Sequence, residues 1–276
     1  MDANAKLRES LKKAKKIVIK VGTSTLVYPN GNLNLSLINK LSMVLSDLNN
    51  QGKDVILVSS GAIGVGSNTM KFKKRPTETR EKQAAAAIGQ AALMHIYQNN
   101  FSEYGKITAQ ILLTRDDFKP GERKTNTTNT IKTLLEYGVI PIINANDTIS
   151  TAELGFSDND TLSASVAVLI KADLLILLTD IDALYDKNPK TNKKAKRIPY
   201  VEKASDDVAD VKGGKGSEFS VGGMETKLAA AKECYKAGVI MAIADGSRPQ
   251  NVSDIIDGVD IGTVFDKAHK KATKKG

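Results

Sequence analysis

The sequence predicts an α/β protein: an open, mainly parallel sheet held between two helical layers. Three features carry that expectation. Short β-branched runs alternate along the chain with longer helix-forming stretches. The short runs are apolar almost without alternation, as in strands covered on both faces. Glycines follow several helix-forming stretches, where left-handed helix ends belong.

Taken in chain order, strands are expected at Lys16–Val21, Asp54–Ser59, Ile107–Leu113, Val139–Asn144, Leu174–Thr179 and Val239–Ala244. Between them, Leu35–Asn50, Glu78–Tyr104, Asn126–Tyr137, Asp160–Lys171 and Met224–Ala237 suit helices, with Gly52, Gly138 and Gly238 as their terminal glycines. The stretch from Asp186 to Gly216 is polar and rich in lysine and glycine. It reads as loops and small elements, with a mobile turn at Gly213-Gly214-Lys215-Gly216. No Pro- or Ser-rich linker or internal repeat divides the chain, so one domain, 1–276, is expected. Its lobes would meet near residue 170, with a carboxy-terminal lobe of about 171–266 and a basic tail, 267–276.

A hydrophobic content of 41% with 26% charged residues suits a globular protein with ample core. No apolar stretch is long enough to span a membrane, and the amino terminus lacks the apolar run of a signal peptide. Cys234 is the sole cysteine, so an intrachain disulfide is impossible and a cytoplasmic location is expected. The net charge of +9 suggests nucleic acid at first sight. Its distribution argues against that: the excess sits in Lys12–Lys16, Lys193–Arg197 and Lys267–Lys275, a solvated start, a loop and a tail. Tryptophan is absent, aromatics are 5%, and there is neither zinc-finger spacing nor an RNP-like motif.

Ligands of open α/β sheets gather at the carboxyl ends of the strands. The polar clusters fall there: Lys20 to Ser24 after the first strand, Ser59 to Ala62 after the second, Asn144 to Thr148 after the fourth, Thr179-Asp180 after the fifth. Lys20 with Gly22-Thr23-Ser24 offers a cation, amides and hydroxyls to an anion, though a strand-end lysine reaching solvent would look the same. Ser60-Gly61-Ala62 suits a helix N-terminus that receives a carboxylate or phosphate. The Gly64/Gly66 pair is a poor dinucleotide fingerprint, because Thr69 stands at its third glycine. Asn144-Ala145-Asn146-Asp147 and Asp158-Asn159-Asp160 can recognise an α-ammonium group and orient lysines, or equally serve as Asx turns and caps. Gly222-Gly223-Met224 before a helix makes a diphosphate cradle with Lys227 in its first turn, or merely a helix start. The two lysines, some two hundred positions apart, fit no P-loop pattern, so a triphosphate site would be split across the fold. His95 and His269 form no metal or triad constellation, and Cys234 reads as inert packing.

Together these residues resemble the amino acid kinase superfamily and, within it, the glutamate 5-kinases (γ-glutamyl kinases). The resemblance runs from about Lys16 to Phe265. Its carriers are Val18–Ser24, Val58–Ala62, Gln110–Arg115, Pro141–Asp147, Gly155–Asp160, Leu177–Asp182 and Gly222–Lys227. It implies the three-layer αβα fold and ATP-dependent phosphorylation of the L-glutamate γ-carboxylate for proline biosynthesis. The amino-terminal lobe, about 1–170, would bind glutamate and the carboxy-terminal lobe the nucleotide. Lys20 and Lys227 would stabilise the transferring phosphoryl group, with Asp160 holding both lysines. Ser60, Gly61, Asn144, Asp147 and Asn159 match glutamate-binding positions. Lys20, Gly22, Thr179, Asp180 and the phosphate loop Val221-Gly222-Gly223-Met224-Glu225-Thr226-Lys227 match ATP-binding positions. Mg2+ would accompany ATP without a direct protein ligand. The resemblance also implies proline as feedback inhibitor, a homo-oligomer to which the long helix Glu78–Tyr104 would suit as an interface, and glutamyl phosphate reductase as a partner. Three departures stand out: Ala145 for a usual glutamate, Val221 for a threonine and Ala183 for a glycine. The carboxy-terminal PUA domain of many members is expected to be missing. Another small-carboxylate kinase of the superfamily is the alternative within the enzyme class, and a non-catalytic sensor or basic nucleic-acid binder the alternative outside it.

Overall fold

The structure, a computed structural model, describes residues 3–72, 74, 76–149, 158–189, 191–202 and 223–266. Eight strands form one sheet: β1 Lys16–Val21, β2 Asp54–Ser59, β3 Thr108–Leu113, β4 Ile140–Ala145, β5 Leu174–Thr179, β6 Tyr200–Val201, β7 Ile240–Asp245 and β8 Thr263–Phe265. Helices are α1 Ala3–Leu11, α2 Thr23–Leu26, α3 Leu35–Asn50, α4 Ala62–Thr69, α5 Thr79–Ser102, α6 Glu122–Glu136, α7 Asn159–Leu169, α8 Met224–Ala237 and α9 Asn251–Ile256. The strand order is β3-β4-β2-β1-β5-β7-β8-β6, parallel except for the β7/β8 pair. All six expected strands and all five expected helices are present; β1, β2, β5, α3 and α8 have the expected bounds, and the others shift by one or two residues except that α6 starts four residues earlier. Gly52, Gly138 and Gly238 take φ of +79°, +70° and +76°, as left-handed helix ends require.

Strand periodicity explains the layers. On β1, Ile17, Ile19 and Val21 pack in one core with Ile38, Leu41 and Leu45 of α3 and with Leu93 and Tyr97 of α5. Val18 points the other way, into a second core with Ile131 of α6, Leu162 and Val166 of α7, and Ala230 and Cys234 of α8. Each buried face lies against helices, which is why the strands read as continuous apolar runs.

Among the labelled elements, α1, α2, α9, β6 and β8 were not expected from the sequence. Residues 3–11, where no helix was expected, form α1, with Leu7 and Leu11 buried. Arg8 is also buried, donating to the Val259 and Pro199 carbonyls and pairing with Asp260 at 2.8 Å. Burial lowers its pKa, and Asp260 partly offsets that. Strands β6 and β8, of two and three residues, are too short to show a period. Lys12, Lys13 and Lys15 are exposed as expected, whereas the 213–216 turn and the tail lie outside the described residues. No helix among the described residues is long and apolar enough to cross a membrane.

Candidate active site

The same periodicity that buries Val18 turns Lys20 toward α7 and α8. Lys20 lies beside Val58 and Leu177 in the register of the central strands and is 5% exposed. Helix α7 is capped by Asp158, whose side chain accepts the Asp160 N–H, and its first turn buries Asp160 completely. Helix α8 is capped by Gly223 with φ +92°, a conformation that suits glycine. A side chain there would meet Lys227 Nζ at 3.2 Å.

These three ends bring the lysines to one carboxylate. Lys20 Nζ lies 2.6 Å from Asp160 Oδ1, and Lys227 Nζ donates to Asp160 Oδ2 at 3.1 Å and to the Gly223 carbonyl at 3.2 Å. Burial alone pushes the Asp160 carboxyl up, but the two ammonium groups outweigh it and hold the pKa below the ordinary aspartate value. Thr226 Oγ1 lies 2.8 Å from Asp158 Oδ2, 3.0 Å from Asp160 Oδ2 and 2.8 Å from the Gly223 carbonyl. With one hydroxyl proton it donates to one of them at a time.

A second cluster adjoins the first across the start of α7. Asn159 Nδ2, with two hydrogens to donate, faces three acceptors: Ser60 Oγ at 2.8 Å, Asn144 Oδ1 at 3.0 Å and the Ser59 carbonyl at 3.1 Å. Asn144 Nδ2 in turn donates to Gln90 Oε1 of α5 at 2.9 Å. Gly61 caps α4 with φ +100°, so Ser60 and the first amides of α4 share this corner. Asp147 lies three residues beyond Asn144, past the end of β4. It is not joined to the hydrogen bonds of this cluster among the described residues, and burial raises its pKa.

A cleft of about 730 Å³ runs past Lys20, Gly22, Asp158, Thr179, Asp180 and Lys227. Gly22 has an ordinary φ of −84°, but a Cβ there would stand 3.5 Å from Lys20 Nζ, in the space an anion needs. Thr179 Oγ1 donates to Asp180 Oδ1 at 3.1 Å. Beyond Asp180 lies a smaller cavity, about 260 Å³, among Ile181, Leu184, Tyr185 and Met224. Ala183 lines it and is fully buried, whereas Ala145 is buried at the end of β4. Glu225 is exposed on the first turn of α8, and Val221 and Gly222 lie outside the described residues.

The sequence reading missed Gln90, Thr226's link to both aspartates, and the cleft wall made by Tyr28, Asn30 and Asn68. The only sequence signal for that wall is the Asn30-Gly31 turn, where Gly31 takes φ +84°. Cys234 is fully buried with its thiol pushed up to about 12 by burial, as inert packing predicts. His95 is exposed and shares a hydrogen bond with Asn99.

The amino acid kinase family model matches residues 15–244. Glutamate 5-kinase of Clostridium perfringens is 51% identical over 263 residues, covering 94% of this chain and 98% of that protein. Glutamate 5-kinase of Listeria monocytogenes is 52% identical over 265 residues, covering 94% and 95%. Among solved structures, UMP kinase from Ureaplasma parvum aligns with a TM-score of 0.66 at 15% identity, covering 92% of this chain and 99% of that one, a likeness of fold.

Proposed function

The chain belongs to the amino acid kinase family, and from that premise we infer that its cleft carries out the glutamate 5-kinase reaction. ATP phosphorylates the γ-carboxylate of L-glutamate, giving L-glutamyl 5-phosphate, the first step of proline biosynthesis. The observation that carries the site assignment is the pair of lysines on the two oxygens of Asp160.

A γ-carboxylate is already an anion at neutral pH, so no general base is required. One of its oxygens bonds to the γ-phosphorus as the bond from that phosphorus to the β,γ-bridging oxygen breaks, and ADP leaves. Charge stabilisation and alignment then supply most of the catalysis. Lys20 and Lys227 present two ammonium groups, held by Asp160 before the substrate arrives, with Asp158 4.0 Å from Lys20. In this reading glutamate occupies the corner of Ser60, Gly61, Asn144, Asp147 and Asn159. The nucleotide phosphates meet Lys20, Gly22, Thr179, Asp180 and the 221–227 loop, and the base enters the apolar cavity at Ile181, Leu184 and Tyr185. The glutamate half of the chain is then the amino-terminal lobe and the nucleotide half the carboxy-terminal one.

A divalent cation, Mg2+, fits as a companion of ATP. Among the described residues no group of three or more His, Cys, Asp or Glu could hold a metal by itself. Asp160 is committed to the lysines, which leaves phosphate oxygens and water as the principal ligands, with Asp158 the cleft's partly open carboxylate. When bound, the cation neutralises phosphate charge. We further propose proline as a feedback inhibitor, because it shares glutamate's α-carboxylate and ammonium, together with a homo-oligomer and delivery of the labile acyl phosphate to glutamyl phosphate reductase. The cytoplasm, where ATP and glutamate are abundant, is the proposed location.

Lys20→Met and Lys227→Met test the site. Each is expected to lower kcat by about 100-fold or more, with the fold intact by circular dichroism. A near-normal rate in either variant removes that lysine from the mechanism.

A further inference from the structure

We propose that Gln90 is a positioning residue: it anchors Asn144, which with the Ser59 carbonyl holds the face of Asn159 that the substrate meets. The proposal rests on the reading above that glutamate occupies the corner of Ser60, Asn144 and Asn159.

Two backbone groups identify the oxygen and nitrogen ends of the carboxamides. The Ala145 N–H, which can only donate, points to Asn144 Oδ1 at 2.8 Å. The Ser59 carbonyl, which can only accept, lies 3.1 Å from Asn159 Nδ2. Asn144 therefore turns Oδ1 toward Ala145 and Asn159, and Nδ2 toward α5. There Gln90, 6% exposed, supplies the acceptor at 2.9 Å. Asn144 is 2% exposed, so without Gln90 its Nδ2 would lose a partner in a place water reaches poorly. With the two hydrogens of Asn159 Nδ2 shared among Ser59, Ser60 and Asn144, Oδ1 is the edge that Asn159 has left for a ligand among the described residues. That edge accepts, so it favours an α-ammonium group. A flip of Asn144 would set its Nδ2 against Asn159 Nδ2, donor facing donor, and loosen this arrangement.

The relay makes a prediction that simple loss of packing does not. Gln90→Met keeps the volume and removes the acceptor. It is expected to raise the glutamate KM about tenfold, while the ATP KM and the inhibition constant of glutarate, which lacks the ammonium group, stay within about twofold. Gln90→Glu, which keeps an acceptor, is expected to bring the glutamate KM back to within about threefold of the unmodified protein. An unchanged glutamate KM in Gln90→Met overturns the proposal, as does a parallel weakening of glutarate or a failure of Gln90→Glu to restore binding. Asn159→Ala separates the two levels. If it leaves the glutamate KM unchanged, the substrate reading of this corner fails; if it raises that KM while Gln90→Met does not, only the relay fails.

Discussion

Asp160 sits between two cations, so removing it differs from removing either lysine. Lys20→Met or Lys227→Met leaves one ammonium group on the Asp160 carboxylate, whereas Asp160→Ala leaves two buried ammonium groups with only the partly exposed Asp158, 4.0 Å from Lys20, as counter-charge. The Asp160 variant is therefore expected to lose about 3–5 kcal/mol of stability, and each lysine variant clearly less, in urea titrations. Because the folded-state pKa of Asp160 is depressed, its contribution is present above the unfolded aspartate value and is lost as pH falls through the folded one. Asp147 shifts the other way, raised by burial. On acidification it loses its charge before an ordinary aspartate does. If it holds glutamate as proposed, the glutamate KM should begin to climb at a pH above the ordinary aspartate range. A KM that stays flat until that range is reached would contradict the assignment. Lys20, Asp160 and Lys227 were legible because each stands beside a strand end or helix start marked by glycine or an Asx residue. Gln90 was not, because a glutamine in the alanine-rich stretch Gln83–Ala92 carries no sign of the strand it will touch.

At the scale of elements, α4 and α5 meet backbone to backbone. A Cβ on Gly89 would stand 1.8 Å from the Ala62 carbonyl oxygen, and one on Gly66 would stand 1.8 Å from that of Ala85. Since α4 begins at the Ser60-Gly61 corner, this contact sets where that corner lies. Gly89→Ala is expected to cost about 1–3 kcal/mol and to raise the glutamate KM, as read by thermal unfolding and steady-state kinetics. Wild-type stability would show that the helices separate freely. The long strands were legible from their unbroken apolar runs, whereas β6 and β8 depend on neighbours supplied by the sheet. Helix α1 was hidden by its charge, because Leu7, Arg8 and Leu11 find their partners only once the chain has closed.

Across the whole molecule, the central place of β1 between β2 and β5 is what joins the two ends of the chain. It sets Lys20 beside α7, while α8 brings Lys227 to the same carboxylate from more than two hundred positions away. The parallel order of the central strands gathers the proposed acid and nucleotide ends along one edge of the sheet. The most direct measurement is ADP release with Mg-ATP across a panel of acceptors: L-glutamate, L-aspartate, N-acetylglutamate and carbamate. kcat/KM is expected to be highest for L-glutamate, with hydroxylamine trapping the product as the γ-hydroxamate. Equal or better turnover of any other acceptor would contradict that expectation.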